Sequence, residues 1–242
     1  MSYTYATFQT ALALEMVIPN NNVNDPNFQL ILPTIIDYAE QRCYRELDIV
    51  RATTSQTITM TAGNFNIDTS ALNPAILIAE DFNVITPASV TDPDLGTRNY
   101  LTPVSKEWLF SVFNSADSAD VPRYFAVNTD QTFYVGPWPD QAYTVECIGK
   151  YRPTPLYATP PMDGTQTTFL TSILPDLFLA AAMISAMGYR HNFGAMTDEP
   201  RSAVSWENQY QTLLHSAKGE ETRKAFRGYQ QTTSESTPMQ NA

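Results

Sequence analysis

Histidine is the side chain most often used to move protons near neutral pH, and this chain has two, His191 and His215, both near ends of expected helices. Catalysis by a hydroxyl or thiol nucleophile needs such a base beside it, so both are read as solvated or capping side chains. Cys43 falls in an expected helix and Cys147 in an expected strand; both are read as buried free thiols rather than as a disulfide. Two distant cysteines and two distant histidines offer no zinc spacing. Asp92-Pro-Asp94-Leu-Gly96 begins like a calcium loop but lacks the later acidic ligands, which leaves a proline-rich surface turn. No Walker-type phosphate loop, GxGxxG or GxSxG string occurs. Glu80-Asp81 and Glu220-Glu221 offer the paired carboxylates of a glycosidase, although adjacent acids are equally at home on a solvated surface. Trp138, set between Pro137 and Pro139 and followed by Tyr143, Tyr151 and Tyr157, can stack on a sugar, hold another protein or close a sheet edge. The residues point to no enzyme, metal or cofactor.

The elements that carry these groups follow from periodicity. Tyr5, Phe8, Leu12 and Met16 recur at helical spacing until Pro19 and three asparagines stop them. Ile35, Ile36, Ala39, Cys43, Leu47 and Val50 form a second stripe, with Pro33 expected in its first turn. Beyond Arg51 the chain turns Thr-rich and β-branched, and strands are expected over 57–61, 65–67 and 76–85. A short helix near 103–113 follows, capped by Ser105 or Thr102. Segments 124–127, 132–135 and 143–147 read as a three-stranded antiparallel meander, followed by a stiff link at Pro153, Pro155, Pro160 and Pro161. A helix apolar on most sides is expected over 169–189, with Pro175 in its first turn. A last amphipathic helix through Ala203, Trp206, Tyr210 and Leu214 continues to Arg227. The expected class is α+β: N- and C-terminal helices form a bundle (1–50 and 157–227), an antiparallel β-rich lobe (51–156) is inserted between them, and an extended C-terminal arm (228–242) ends the chain.

Net charge is −11, unevenly spread: residues 1–200 hold nine basic and 21 acidic side chains, whereas the last 42 hold five and four. An acidic body excludes a nucleic-acid reader, whose affinity depends on cations that displace counterions, but lets DNA pass without sticking. Residues 1–18 have no Lys or Arg and carry Glu15 within their most apolar part, unlike a signal peptide, and no apolar run approaches 18 residues. A chain made in a reducing cytoplasm, with no membrane partner, is expected. Seventeen prolines against nine glycines predict stiff loops.

Three stretches resemble the head-to-tail adaptor, or connector, proteins of short-tailed bacteriophages. They are Leu32-Pro-Thr-Ile-Ile-Asp-Tyr-Ala-Glu40-Gln-Arg42-Cys-Tyr-Arg45-Glu46-Leu47; Pro122-Arg-Tyr-Phe with Thr132-Phe-Tyr-Val-Gly-Pro-Trp-Pro-Asp140; and Leu170 through Leu174-Pro175-Asp176-Leu177-Phe178-Leu179, leading into a helix with Trp206 and Tyr210. Cys43 departs from the family's usual aliphatic residue, and the opening helix lacks basic residues. The resemblance implies a virion structural protein at the head-tail junction, in a homo-oligomeric ring expected to have twelve copies. Its helical part and arm would grip the portal protein, and its β-rich lobe would meet a downstream tail or nozzle protein. Genomic DNA would pass through its lumen without specific binding.

Within that resemblance, Glu40, Arg42, Arg45 and Glu46 are expected to include a charge that crosses between subunits; the alternative is i, i+4 pairing within their own helix. Arg223, Lys224, Phe226, Arg227, Tyr229 and Met239 are the expected portal contacts, because this segment is too polar to fold alone but suited to ordering on a partner. Trp138 and Tyr143 are the expected tail-facing contacts. Another tail component (tail tube, completion or decoration protein), a peptidoglycan hydrolase and a carbohydrate-binding module are the competing functions, separated by portal binding, cell-wall turnover and glycan binding.

Overall fold

Thr4 opens the first helix with a reciprocal cap: its Oγ1 accepts from the Thr7 N–H at 3.3 Å, and the Thr7 hydroxyl accepts from the Thr4 N–H at 2.8 Å. Helix α1, Tyr5–Glu15, then buries Phe8, Leu12 and Ala13. The computed structural model describes residues 2–16, 23–190 and 199–230, so the turn expected at Pro19 lies outside the described residues. Helix α2, Pro26–Glu46, starts earlier than the apolar stripe implies. Asp25 Oδ1 accepts from the N–H groups of Asn27 and Phe28 at 3.0 and 2.9 Å, and Pro26 supplies a preset φ at the first helical position. Pro33 is therefore inside the helix, not in its first turn, and there it removes one main-chain hydrogen bond.

The apolar run 169–189 is two helices rather than one. Thr168 and Thr171 cap α4, Phe169–Ile173, and α5, Pro175–Arg190, begins after a break at Leu174. The pyrrolidine ring of Pro175 disfavours helical backbone in the residue before it, and Leu174 sits at φ −124°, ψ 50°. Helix α5 is central as its composition predicts: Leu177, Phe178, Ala180, Ala181, Ala182 and Met183 are all buried, with Phe178 stacked on Phe8 at 4.6 Å. Helix α6, Glu199–Gln230, lays Tyr210, Leu214 and Ala217 into the same core. Residues 1–50 and 154–242 make up this helical unit.

Residues 51–153 form the second compact unit. Its elements are β1 (Thr53–Met60), β2 (Asn66–Asp68), β3 (Ile76–Thr86), β4 (Thr97–Tyr100), β5 (Thr102–Pro103), α3 (Lys106–Val112), β6 (Tyr124–Val127), β7 (Thr132–Gly136) and β8 (Tyr143–Tyr151). They build two four-stranded sheets ordered β1-β8-β3-β4 and β2-β7-β6-β5, antiparallel except where β5 runs parallel to β6. Met60, Phe82, Val84 and Val145 from the first sheet and Ile67, Phe125, Phe133 and Val135 from the second share one core, the arrangement of a sandwich.

The three-stranded meander expected over 124–147 does not form. β6 and β7 do pair as a hairpin, but β8 crosses to the other sheet and lies between β1 and β3. Pro137 and Pro139 cannot donate to a ladder and so end the hairpin's sheet, while both faces of β8, including Thr144 and Glu146, are buried as befits a central strand. The α+β class holds.

Candidate functional site

Of the four charged residues singled out on α2, Glu40, Arg42 and Glu46 bond to other elements of the chain. Arg42 makes a two-pronged contact with Glu207 of α6, Nη2 to Oε1 at 2.6 Å and Nη1 to Oε2 at 2.9 Å, while its Nε donates to Glu46 at 3.0 Å. Its guanidinium carbon lies 4.2 Å from the centre of the Tyr210 ring, and the Tyr210 hydroxyl donates to Glu46 at 3.2 Å. This planar fork is chemistry that lysine would not reproduce. Hydrogen bonding to Arg42 holds the Glu207 carboxyl below its ordinary range. The i, i+4 pairing considered for this helix is present between Arg42 and Glu46, but it is one part of a clasp joining α2 to α6.

Glu40 is 3% exposed, and its carboxylate accepts from the Leu156 N–H at 3.0 Å. Burial pushes its pKa up to about 8, with the nearby Asp37 charge adding to the rise and the Leu156 bond opposing it. Arg45 alone of the four is exposed, and its Nε donates to the Gln41 carbonyl of its own helix.

At the far end of α6, Lys224 is tied to Glu221 at 2.6 Å and Glu220 at 2.8 Å, which raises its pKa. Glu221, itself buried, accepts from the Val50 N–H. Arg223 is exposed. Phe226, Arg227 and Tyr229 continue α6, but their side chains lie outside the described residues, as does Met239.

In the sandwich unit, α3 lies against β6 and β7 and builds an aromatic surface. Ser105 caps the helix, and Gly136 permits the approach: a Cβ there would lie 2.6 Å from Phe113 and 2.9 Å from Leu109. Phe65 lies tilted against Trp138 at 4.4 Å and stacks on Tyr134 at 5.1 Å, Phe110 reaches Tyr134 at 5.1 Å, and Trp108 meets Tyr124 edge-on at 5.0 Å. Trp108 and Phe110 nevertheless remain 40% and 44% exposed, with Val112 open beside them. Trp138 is half-buried, and its Nε1–H points to the Phe113 carbonyl at 3.4 Å. Tyr143 is buried: it is 3% exposed, and its hydroxyl donates to Asp140 at 2.7 Å. Burial and that carboxylate raise its pKa to about 12. Of the two expected tail-facing contacts, Trp138 reaches the surface and Tyr143 does not. Sequence reading missed Trp108 and Phe110, although three large aromatics in so short a segment, with Phe113, exceed what one small helix can bury.

Glu146 is 5% exposed on the opposite sheet, bonded by Arg98 at 2.8 Å, Ser55 at 2.9 Å and Asn83 at 3.1 Å; these bonds, Arg98 first, hold its carboxyl below the ordinary range. Cys43 and Cys147 are free and buried, and burial raises both thiols to about 12. Among the described residues no group of His, Cys, Asp and Glu could hold a metal ion, and no helix is long and apolar enough to cross a membrane. His191 lies outside the described residues.

No curated protein matches the sequence. The SU10 adaptor protein family matches residues 3–235, nearly the whole chain and both of its units. The chain belongs to that family of phage adaptor proteins, whose role is structural.

Proposed function

We propose that this protein is the head-to-tail adaptor of a tailed phage and not an enzyme: copies close into a ring on the portal, extend the DNA channel and give the tail its platform. The observation that carries this reading is the family match across both units. Copy number follows the resemblance, twelve. The polar, cation-bearing end of α6 and residues 228–242 are assigned to the portal through Arg223, Lys224, Phe226, Arg227, Tyr229 and Met239. Lys224 already engages Glu220 and Glu221, whereas Arg223 is exposed and forms no ion pair among the described residues. The aromatic surface around Trp108, Phe110 and Trp138 is assigned to the tail or nozzle protein, with Tyr143 acting beneath it by fixing Asp140. Arg45 is assigned to the contact between copies, because Glu40, Arg42 and Glu46 are engaged within their own chain. The acidic body lets the genome slide through without specific binding.

A nonsense mutation early in the coding sequence tests the reading in the infected host. It is expected to yield DNA-filled heads without tails, restored by the gene supplied in trans; tailed, infectious particles without this protein would contradict it.

A further inference from the structure

Between α1, the α4–α5 junction and α6 lies a hollow of about 590 Å³ in the helical unit. Tyr3 and Trp206 wall it, Ile173 and Leu179 give apolar surface, and Glu15 and Asp176 bring two carboxylates to its rim. Both carboxylates are exposed, and among the described residues neither has a cationic partner; Asp176 Oδ1 accepts only from the Leu177 N–H of its own helix start. Aromatic faces beside two anions suit a planar cation, which can stack on a ring while its N–H groups reach carboxylates.

The same unit holds a cation without a carboxylate. Arg45 is exposed, and its bond is to its own helix's Gln41 carbonyl. Arg42 has Glu207 and Glu46, Lys224 has Glu220 and Glu221, Arg223 sits beside Glu220, and Lys218 lacks a planar fork. Copies carrying a net charge of −11 repel one another, so faces they share must bring opposite charges together. A ring is closed by two different faces of each copy, one donating and one receiving.

We propose that the hollow lined by Tyr3, Glu15, Asp176 and Trp206 receives Arg45 of a second copy of this chain. The inference rests on the ring reading above and names the contact that closes the ring. It makes that interface heterologous, and its strength depends on salt.

Disulfide trapping tests it, since Arg45 and Glu15 are exposed and the native thiols Cys43 and Cys147 are buried. The double variant Arg45→Cys with Glu15→Cys, assembled on the portal and oxidised, is expected to give a ladder of covalent multimers that collapses on reduction. An equal mixture of the two single variants should give covalent dimers and nothing longer. Arg45→Glu should lower ring occupancy of the portal about tenfold, and adding Glu15→Lys should restore most of it. Rings of normal mass without covalent products, or products joining Glu15→Cys to the portal, would overturn the groove assignment and leave the adaptor reading standing. Failure of the unaltered protein to form a ring on the portal would overturn both.

Discussion

Glu40 in the helical unit and Glu146 in the sandwich are 3% and 5% exposed, yet their environments act on them in opposite directions. Around Glu146 the sheet gathers Arg98, Ser55 and Asn83, and the carboxylate stays ionised at the centre of a satisfied polar network. Around Glu40 the bundle supplies one N–H and the like charge of Asp37, and the carboxyl is largely neutral at pH 7. The aromatic residues divide as sharply. Phe8, Phe28 and Phe178 are enclosed by helices, whereas Trp108 and Phe110 stand open on the sandwich unit. The helix bundle encloses its phenylalanines and clasps α2 to α6 through Arg42. A sandwich with open rings is suited to receiving a partner.

The largest effect expected is on the helical side. Removing residues 228–242 should abolish binding to the portal while the circular dichroism spectrum keeps its helical signal, and binding that survives the deletion would remove the arm from the account. Next comes the sandwich core, where Phe82 packs against Phe125 at 5.1 Å and Phe133 at 4.7 Å. Phe82→Ala should cost about 3–5 kcal/mol in denaturant unfolding, whereas a loss below about 1 kcal/mol would deny that the two sheets share a core.

The two carboxylates give a smaller but sharper pair of outcomes. Glu40 is raised in the folded chain from an ordinary 4.5 to about 8, so the folded state holds a proton that the unfolded state releases across that window. Stability therefore falls as pH rises through it, and Glu40→Gln, which keeps the acceptor for the Leu156 N–H, should stabilise the protein by about 2 kcal/mol above pH 8. Glu146 is lowered, so its contribution is present above its ordinary value of 4.5 and is lost as pH falls through the folded value. Glu146→Gln should destabilise by about 1–3 kcal/mol near neutral pH because it removes the buried carboxylate that Arg98, Ser55 and Asn83 share, leaving Arg98 only the exposed Asp94. Thermal melts of both variants against pH check the opposed signs, and equal signs would break the comparison. Smallest in stability are Trp108→Ala and Phe110→Ala, each expected within about 1 kcal/mol of the parent, since these side chains are half-open. Tail attachment should nevertheless drop sharply in the double variant; unchanged attachment would move the tail contact elsewhere.

What the sequence disclosed was local. Spacing alone places α1, the greater part of α2, six of the eight strands of the sandwich and the buried character of α5, because 3.6- and 2-residue periods record which face is hidden; β4 and β5, short and exposed, carry no such record. It misplaced the start of α2 because Asp25 and Pro26, a stronger signal, lie before the apolar stripe, and it merged α4 with α5 across Leu174. Pairing is a property of the whole fold, so the switch of β8 between sheets was hidden in a segment that alternates like any hairpin strand. The site followed the same rule. Glu40, Arg42, Arg45 and Glu46 stood out as a group, but Glu207, the partner that fixes Arg42, lies 165 residues away, and no local spacing connects them.

Ring formation on the portal is tested most directly by the mass of the purified protein, alone and after mixing with the portal of the same phage. A monomer that becomes a closed ring on the portal, at matching symmetry, is the predicted result. A protein that keeps its mass in the presence of portal would contradict the adaptor reading and point to another part of the tail.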